Sequence, residues 1–293
     1  MESKIMLITG ATDGIGKAAA VALAGQGHTV VIHGRNEEKA RAVCRAIRSE
    51  TGNENVDWLI ADLLSFAEVK RLAEAFKEKY DRLDVLVNNA GAIFGKNREV
   101  TQDGCEKTMA LNVFSPLLLT LLLMDVLVKS PSARIINTSS AMHRMAPRPD
   151  FDDLQMEKTY RPMRAYAASK LYTIWITRHL AAELKRRGIT NVTVNALHPG
   201  AVATNFGQGA DRGAALNLMF KLALPFMKKP DKGAATTVYL ATAGEVEGVS
   251  GKFFGNRQEE RPQDKYYSAQ TEQQLWDACM DIIRPYLGNN QIL

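Results

Sequence analysis

The run Lys4-Ile5-Met6-Leu7-Ile8-Thr9-Gly10-Ala11-Thr12-Asp13-Gly14-Ile15-Gly16 joins a short apolar segment to a cluster of glycines. A continuous apolar run of this length that ends at a glycine predicts a buried strand. The Ala-rich segment that follows, to about Leu23, predicts a helix. Strand, glycine turn and helix in that order present the helix's N-terminal amides to an anion. The glycines let the backbone approach a phosphate closely, and Gly16 lets the helix pack on the strand. The spacing is G-x-x-x-G-x-G, not the commoner G-x-G-x-x-G. Any tight turn can carry glycines, so the weight of this cluster comes from its place after a first strand.

Thr29-Val30-Val31-Ile32-His33 predicts a second strand and completes a βαβ unit. In nucleotide sites of this architecture the corner after that strand reads the adenosine ribose. A carboxylate there accepts from a free 2′-hydroxyl, whereas an arginine accommodates a 2′-phosphate. Gly34, Arg35 and Asn36 occupy the corner, and no carboxylate appears before Glu37. The expected ligand is therefore NADP(H) in preference to NAD(H). An exposed arginine at a helix start is the competing reading.

Outward from this unit the same alternation continues. Helices are expected over Glu37 to Thr51, Phe66 to Tyr80, a Leu-rich stretch after Leu111-Asn112, Arg164 to Arg187, and Lys232 to Ala243. Strands are expected at Val56 to Ala61, Leu83 to Val87, Arg134 to Thr138, Val192 to Leu197 and Gly251 to Phe254. Regular alternation of this kind predicts an α/β fold, a doubly wound parallel sheet of about seven strands with helices on both faces. With no linker, repeat or low-complexity segment, residues 1–293 read as a single domain.

Bulk properties narrow the function classes. The chain has 46% hydrophobic and 24% charged residues, the composition of a water-soluble globule. Its net charge of +5 comes from scattered residues with no basic run, which argues against nucleic acid as partner. Cys44, Cys105 and Cys279 lie far apart without metal-ligand spacing, so no metal is expected and a reducing, cytoplasmic setting is. The longest apolar stretch, Leu117 to Val128, contains Asp125 and is too short to span a bilayer. The first apolar run, Ile5 to Ile8, is too short for a signal peptide.

Tyr166-Ala167-Ala168-Ser169-Lys170 sets a phenol and an ammonium one helical turn apart on one face. A phenol normally titrates near ~10, and a nearby positive charge favours its ionised form. The pair is thus a candidate proton shuttle. By itself Tyr-x-x-x-Lys is as readily a solvated helical face.

Taken in order, Thr9-Gly10-x-x-x-Gly14-Ile15-Gly16, Asn88-Asn89-Ala90-Gly91, a serine after the fifth strand, Tyr166-x-x-x-Lys170 and Pro199-Gly200 resemble the short-chain dehydrogenase/reductase family, from Ile5 to about Phe254. The long gap between serine and tyrosine, with Met142-His143 and Phe151-Asp152-Asp153-Leu154, resembles its retinol-dehydrogenase-like branch. The resemblance implies a Rossmann-type fold and an oxidoreductase interconverting a carbonyl and an alcohol. It implies Tyr166 as general acid/base, and Lys170 as the residue that lowers its pKa and holds the nicotinamide ribose. Ser140, with Ser139 as alternative, would hydrogen-bond the substrate oxygen. Asn112 would hold a proton-relay water; a polar residue at a helix kink is the competing reading. Gly10, Thr12, Asp13, Gly14, Ile15 and Gly16 would line the cofactor, with Arg35 and Asn36 at its 2′-phosphate. Asp62 and Leu63 would meet the adenine, although Asp62 could equally be a helix N-cap. Asn89, Ala90 and Gly91 would line the adenosine ribose. Pro199, Gly200, Val202 and Thr204 would hold the carboxamide. His28, His143 and His198 read as structural. One departure stands out: Asp13 is an acid where NADP-dependent relatives often carry a base.

Residues 205–232 are apolar after a Gly-rich start and read as a lid over a lipophilic substrate. A pair of core helices, or a membrane-surface segment over Phe206 to Lys229, are the alternatives. Residues 141–158 and 159–163 are expected to form the other wall. In the extension from 258 to 293, Leu275, Trp276, Cys279 and Ile282 predict a helix that covers the pocket mouth or makes a subunit contact, with Trp276 packing on the core. The helices after Asn112 and Lys170 could form a homodimer face. Against the enzyme stands a catalytically silent NADP(H)-binding regulator, since a fold does not guarantee turnover.

Overall fold

The computed structural model describes residues 3–202 and 229–288. Thr204 and residues 205–228 of the expected lid, including 206–228 of the membrane-surface alternative, lie outside the described residues.

β1 (Ile5–Ile8) passes through the glycine turn into α1 (Gly14–Ala24). There follow β2 (Thr29–Gly34), α2 (Glu37–Thr51), β3 (Val56–Ile60), α3 (Phe66–Lys79) and β4 (Val85–Asn88). The next helical run is α4 (Lys107–Met109), a π-helical turn over Ala110–Phe114, α5 (Ser115–Leu122) and α6 (Met124–Leu127). β5 (Ala133–Thr138), α7 (Pro162–Arg186), β6 (Val192–His198), α8 (Pro230–Thr242), β7 (Phe253–Gly255), β8 (Gln258–Glu259) and α9 (Ala269–Leu287) complete the described residues.

The strands form one sheet in the order β3-β2-β1-β4-β5-β6-β7-β8. All neighbours pair in parallel except β7 and β8. The order reverses between β1 and β4, which opens a crevice beyond their carboxyl ends, where open α/β sheets take ligands. The sheet thus has eight strands where about seven were expected. The extra one is Gln258–Glu259, polar and exposed, returned antiparallel by a two-residue turn through Asn256 (φ 49°) and Arg257 (φ 64°). Positive φ at both central residues matches the twist of a hairpin.

Strand alternation sorts the core into two layers. Met6 and Ile8 of β1 face α1, α2 and α8, together with Val30, Ile32, Val85 and Val87. Leu7 turns to the opposite layer, with α3, α5 and α7, alongside its register partners Val31 and Leu86. Both faces are covered, so the strands read as continuous apolar runs.

α9 begins with a capping box, Ser268 and Thr271 each accepting from the other's backbone amide. It packs on α7, α3 and α5 through Leu275, Cys279, Ile283 and Leu287, all buried and one turn apart. Trp276 and Ile282, expected on the buried face, are half-buried at its edge; Trp276 stacks on His179 at 4.4 Å. The Tyr286 hydroxyl donates to Asp103 Oδ1 at 2.9 Å. In the layer expected as a homodimer face, Leu117, Leu118, Leu121, Ile176 and Leu180 are buried within the chain. Among the described residues no helix is long and apolar enough to cross a membrane.

Leu275 is fully buried between α9 and the core. Leu275→Ala is expected to cost about 2–5 kcal/mol by transfer and cavity terms together. Urea unfolding reads this directly, and a loss within about 0.5 kcal/mol, as at surface sites, would contradict tight docking of α9.

Candidate active site

The crevice is locked together at Thr9. Its hydroxyl donates to Val87 O and accepts from the Asn89 and Ala90 amides, both at 3.0 Å. The Asn89 side chain returns two donations, to Thr9 O at 2.8 Å and Gly10 O at 3.2 Å. The β1 turn and the β4 exit are therefore one unit. A Cβ at Gly16 would come within 2.5 Å of Asn89 Nδ2 and 2.6 Å of Gly10 O, so no side chain fits there. Gly10 (φ 63°) and Gly14 (φ 54°) adopt a left-handed backbone that side chains disfavour. Ala90 lies against Gly10, and Ile15 and Val202 pack where a Cβ at Gly233 would stand, joining the loop after β6 to the glycine turn.

His33 was read only as a strand residue, yet it braces this turn. Gly10 N donates to its Nδ1 at 3.2 Å, so the ring proton sits on Nε2 and is given to Ala61 O at 3.0 Å. Burial pushes the imidazole pKa down to about 4.

At the adenosine corner Arg35 and Asn36 are exposed, and Asn36 caps α2 by accepting from Lys39 N at 2.8 Å. Thr12 packs over Gly34, where a Cβ would come within 2.5 Å of its methyl. Asp13 accepts from Gly14 N at 2.8 Å, and its other oxygen pairs with Lys39 Nζ at 3.0 Å. The acid that departs from the expected pattern thus carries its own counter-charge. Lys39 was missed in the sequence; its position one helical turn beyond Arg35 was the available signal. Asp62 is not the N-cap of α3: Ser65 fills that place, while Asp62 Oδ1 accepts from Leu64 N at 3.0 Å. Leu63 is buried beside it, its carbonyl accepting from the Ser115 hydroxyl at 2.5 Å.

Tyr166, Lys170, Ser140 and Asn112 come together at the β5 exit. Lys170 Nζ donates to Thr138 O at 2.9 Å and lies 5.6 Å from the centroid of the Tyr166 ring. Ser139 and Ser140 separate cleanly. The Ser139 hydroxyl is buried and donates to Lys170 O at 2.7 Å, whereas the half-buried Ser140 hydroxyl accepts from Met142 N at 3.2 Å and faces the Tyr166 phenol, whose pKa it lowers. Asn112 lies in the π-helical turn. Its Nδ2 donates to Ala92 O and Ser169 Oγ, and its Oδ1 accepts from Ala92 N, all at 3.0 Å. A Cβ at Gly91 would lie 3.1 Å from Asn112 Oδ1 and 3.3 Å from Lys170 Nζ, so both groups flank one glycine.

The titration of the pair differs from expectation. Burial pushes the Tyr166 phenol up to about 12, opposed by its bond to Ser140, and pushes Lys170 down to about 7. Desolvation penalises whichever form is charged, so it acts on the two in opposite directions. Lys170 directs its nitrogen at the Thr138 carbonyl. The second wall is tied down by Arg98 Nε to Gln155 O (3.0 Å) and by the Tyr160 hydroxyl to Gly95 O (3.2 Å). Pro199 and Gly200 leave β6 beside this cluster, half-buried, with Gly200 at φ 81°.

A family model described as short chain dehydrogenase matches residues 4–215. The chain belongs to the short-chain dehydrogenase/reductase family. It lies in the retinol-dehydrogenase-like branch. It is 38% identical to human polyprenol dehydrogenase over 283 residues, 95% of this chain and 84% of that protein. It is also 38% identical to human retinol dehydrogenase 14 over 291 residues, 94% of this chain and 85% of that one. A Shigella flexneri short chain dehydrogenase solved in complex with NADP superposes with a TM-score of 0.67 at 29% identity, over 88% of this chain and 98% of that one. Members of this oxidoreductase family use nicotinamide cofactors and act on alcohols and carbonyls.

His33 is neutral when folded and protonates only when unfolded, between pH 6.5 and about 4. Its stabilisation is present above pH 6.5 and lost as pH falls toward 4. The stability gap between the wild-type protein and His33→Leu is expected to narrow by roughly 3 kcal/mol across that window. Urea unfolding at stepped pH measures it, and a constant gap would contradict a neutral, buried His33.

Proposed function

We propose that this protein is an NADP(H)-dependent oxidoreductase interconverting a carbonyl and an alcohol on a lipophilic small molecule, with Tyr166 as general acid/base. The observation that carries the reading is the gathering of Tyr166, Ser140, Lys170 and Asn112 at the β5 exit, with the Ser140 hydroxyl facing the buried Tyr166 phenol. Two hydroxyls so placed can both address one substrate oxygen.

The residues present fit a nicotinamide dinucleotide. Gly10 and Gly16 let the turn pack directly on Ala90 and Asn89, and Gly14 opens α1, at whose N-terminus amides favour phosphate. Asp62 and Leu63 would meet the adenine, and Asn89, Ala90 and Gly91, tied to the glycine turn through Thr9, would line the adenosine ribose. Arg35, exposed at the corner, supplies positive charge for a 2′-phosphate, while Lys39 neutralises Asp13 beside it and Asn36 fixes the turn. Pro199, Gly200, Val202 and Thr204 would hold the carboxamide. When bound, the dinucleotide supplies the hydride acceptor or donor.

The chain's own residues handle the proton. In reduction Tyr166 gives its phenol proton to the carbonyl oxygen as the alcohol forms, while Ser140 donates to the same oxygen and steadies its developing charge. The phenolate left behind is stabilised by the Lys170 ammonium and reprotonated from it. Asn112 holds the loop at Ala92 against Ser169, on the turn between Tyr166 and Lys170, and fixes the geometry of that return path. In oxidation the same steps run backwards.

The relatives named for polyprenol and retinol support a lipophilic substrate class. The apolar content of residues 205–232 supports it independently. Buried free thiols at Cys44, Cys105 and Cys279 are in keeping with a reducing, cytoplasmic location.

Two measurements test this reading. Tyr166→Phe keeps the ring and is expected to lower kcat for a hydrophobic aldehyde by at least ~100-fold; near wild-type turnover would refute the assignment. Arg35→Ala is expected to weaken NADPH binding about tenfold and leave NADH binding unchanged, read by cofactor fluorescence. Equal affinity of the wild-type protein for both cofactors would overturn the NADP preference.

A further inference from the structure

His198 ends β6, one residue before the Pro199-Gly200 turn, and its sequence position suggests a packing residue. It does pack: the ring stacks on Phe253 at 5.5 Å and 27°. Both ring nitrogens are also engaged. Gly200 N donates to Nδ1 at 3.3 Å, which leaves the ring proton on Nε2. There it faces both carboxylate oxygens of Glu260, at 3.1 and 3.2 Å.

Glu260 is itself fixed. Its amide donates to Phe253 O at 2.8 Å, and Arg144 stands 3.8 Å from its carboxylate. A Cβ at Gly255, the register partner of His198, would collide with both the Glu260 carboxyl and His198 Nε2. A glycine therefore stands where the pair crosses β7. The Phe253 ring that backs His198 also meets His143 edge-on at 5.0 Å. His143 Nδ1 in turn donates to Ser140 O at 2.7 Å, an assignment forced because a carbonyl only accepts. One aromatic ring thus backs the Gly200 turn and the Ser140 turn.

We propose that His198 and Glu260 form a positioning pair: the carboxylate orients the imidazole, and the imidazole holds the Gly200 amide so that the Pro199-Gly200 turn is set for the nicotinamide end of the cofactor. This rests on the reading of that turn given above. The pair touches no reacting atom. It acts as second-layer carboxylates do on functional histidines, by fixing tautomer and ring orientation.

The test compares two ligands on each protein. One is the full reduced dinucleotide, NADPH or NADH, followed by nicotinamide fluorescence. The other is its adenosine fragment, ADP-ribose or the 2′-phosphate of it, followed by calorimetry. His198→Phe keeps an aromatic ring over Phe253 but loses both hydrogen bonds. It is expected to weaken dinucleotide binding about tenfold while fragment affinity changes less than about twofold. His198→Asn keeps an acceptor for the Gly200 amide and is expected to restore most of the loss. Glu260→Gln, at a partly exposed position that leaves the core intact, is expected to fall between them. Equal loss of dinucleotide and fragment affinity, or an unchanged ratio in all three variants, overturns the pair's role. Failure of the wild-type protein to bind either dinucleotide overturns the cofactor reading and this proposal with it, and so differs from failure of the pair alone.

Discussion

Desolvation of one helical turn is the constraint on which the rest of the site depends. Tyr166 and Lys170 are both buried on α7, and water is replaced around them by fixed partners: Ser140 for the phenol, Thr138 O for the ammonium. Burial alone drives the phenol up to about 12 and the lysine down to about 7. The protein by itself therefore holds the proton on Tyr166. A protonated phenol beside a serine hydroxyl is a donor pair, suited to an oxygen that is about to gain charge. On the proposed reading the lysine then matters most after the proton has left, when a phenolate in a low-dielectric setting needs a cation.

The fold delivers that turn to the right place by simple means. The sheet order reverses between β1 and β4, so strand exits on both sides of the reversal open toward one crevice. Thr9 and Asn89 bond the two halves across it, and His33 ties in β3 through Ala61 O. Glycines occupy the points where backbone must pass close to other groups: Gly16 against Asn89, Gly91 between Asn112 and Lys170, Gly255 under the His198 and Glu260 pair. α9 packs on the layer holding α5 and α7, in which Leu117, Ile176 and Leu180 are buried.

Much of this was legible in the residues alone. β1, the glycine turn and α1 followed from an apolar run, a cluster of glycines and an Ala-rich segment, and the alternation of strands and helices specified the parallel sheet. Tyr166 and Lys170 were legible because helical spacing places them together. What could not be read has physical causes. β8 consists of two polar, exposed residues, which carry no periodicity. The π-helical turn at Asn112 sits inside an apolar pattern that reads as ordinary helix. Lys39, His33 and Glu260 act through partners far away in sequence, and only the folded chain makes them neighbours. Ser140 was favoured over Ser139 in the residues alone, and the folded chain adds that the Ser139 hydroxyl is engaged with Lys170 O. Spacing reveals a nearby charge but not the extent of burial, which pushes the Tyr166 phenol up and Lys170 down.

The central claim is that the Tyr166 hydroxyl faces the reacting end of a bound nicotinamide with room for a carbonyl between them. A crystal structure of the protein with NADPH and an unreactive ketone measures this directly. The account predicts the ketone oxygen within hydrogen-bond distance of both the Tyr166 and Ser140 hydroxyls, on the side of the ring that Lys170 flanks. A Tyr166 hydroxyl directed away from the dinucleotide, with no space for a ketone between them, would contradict it.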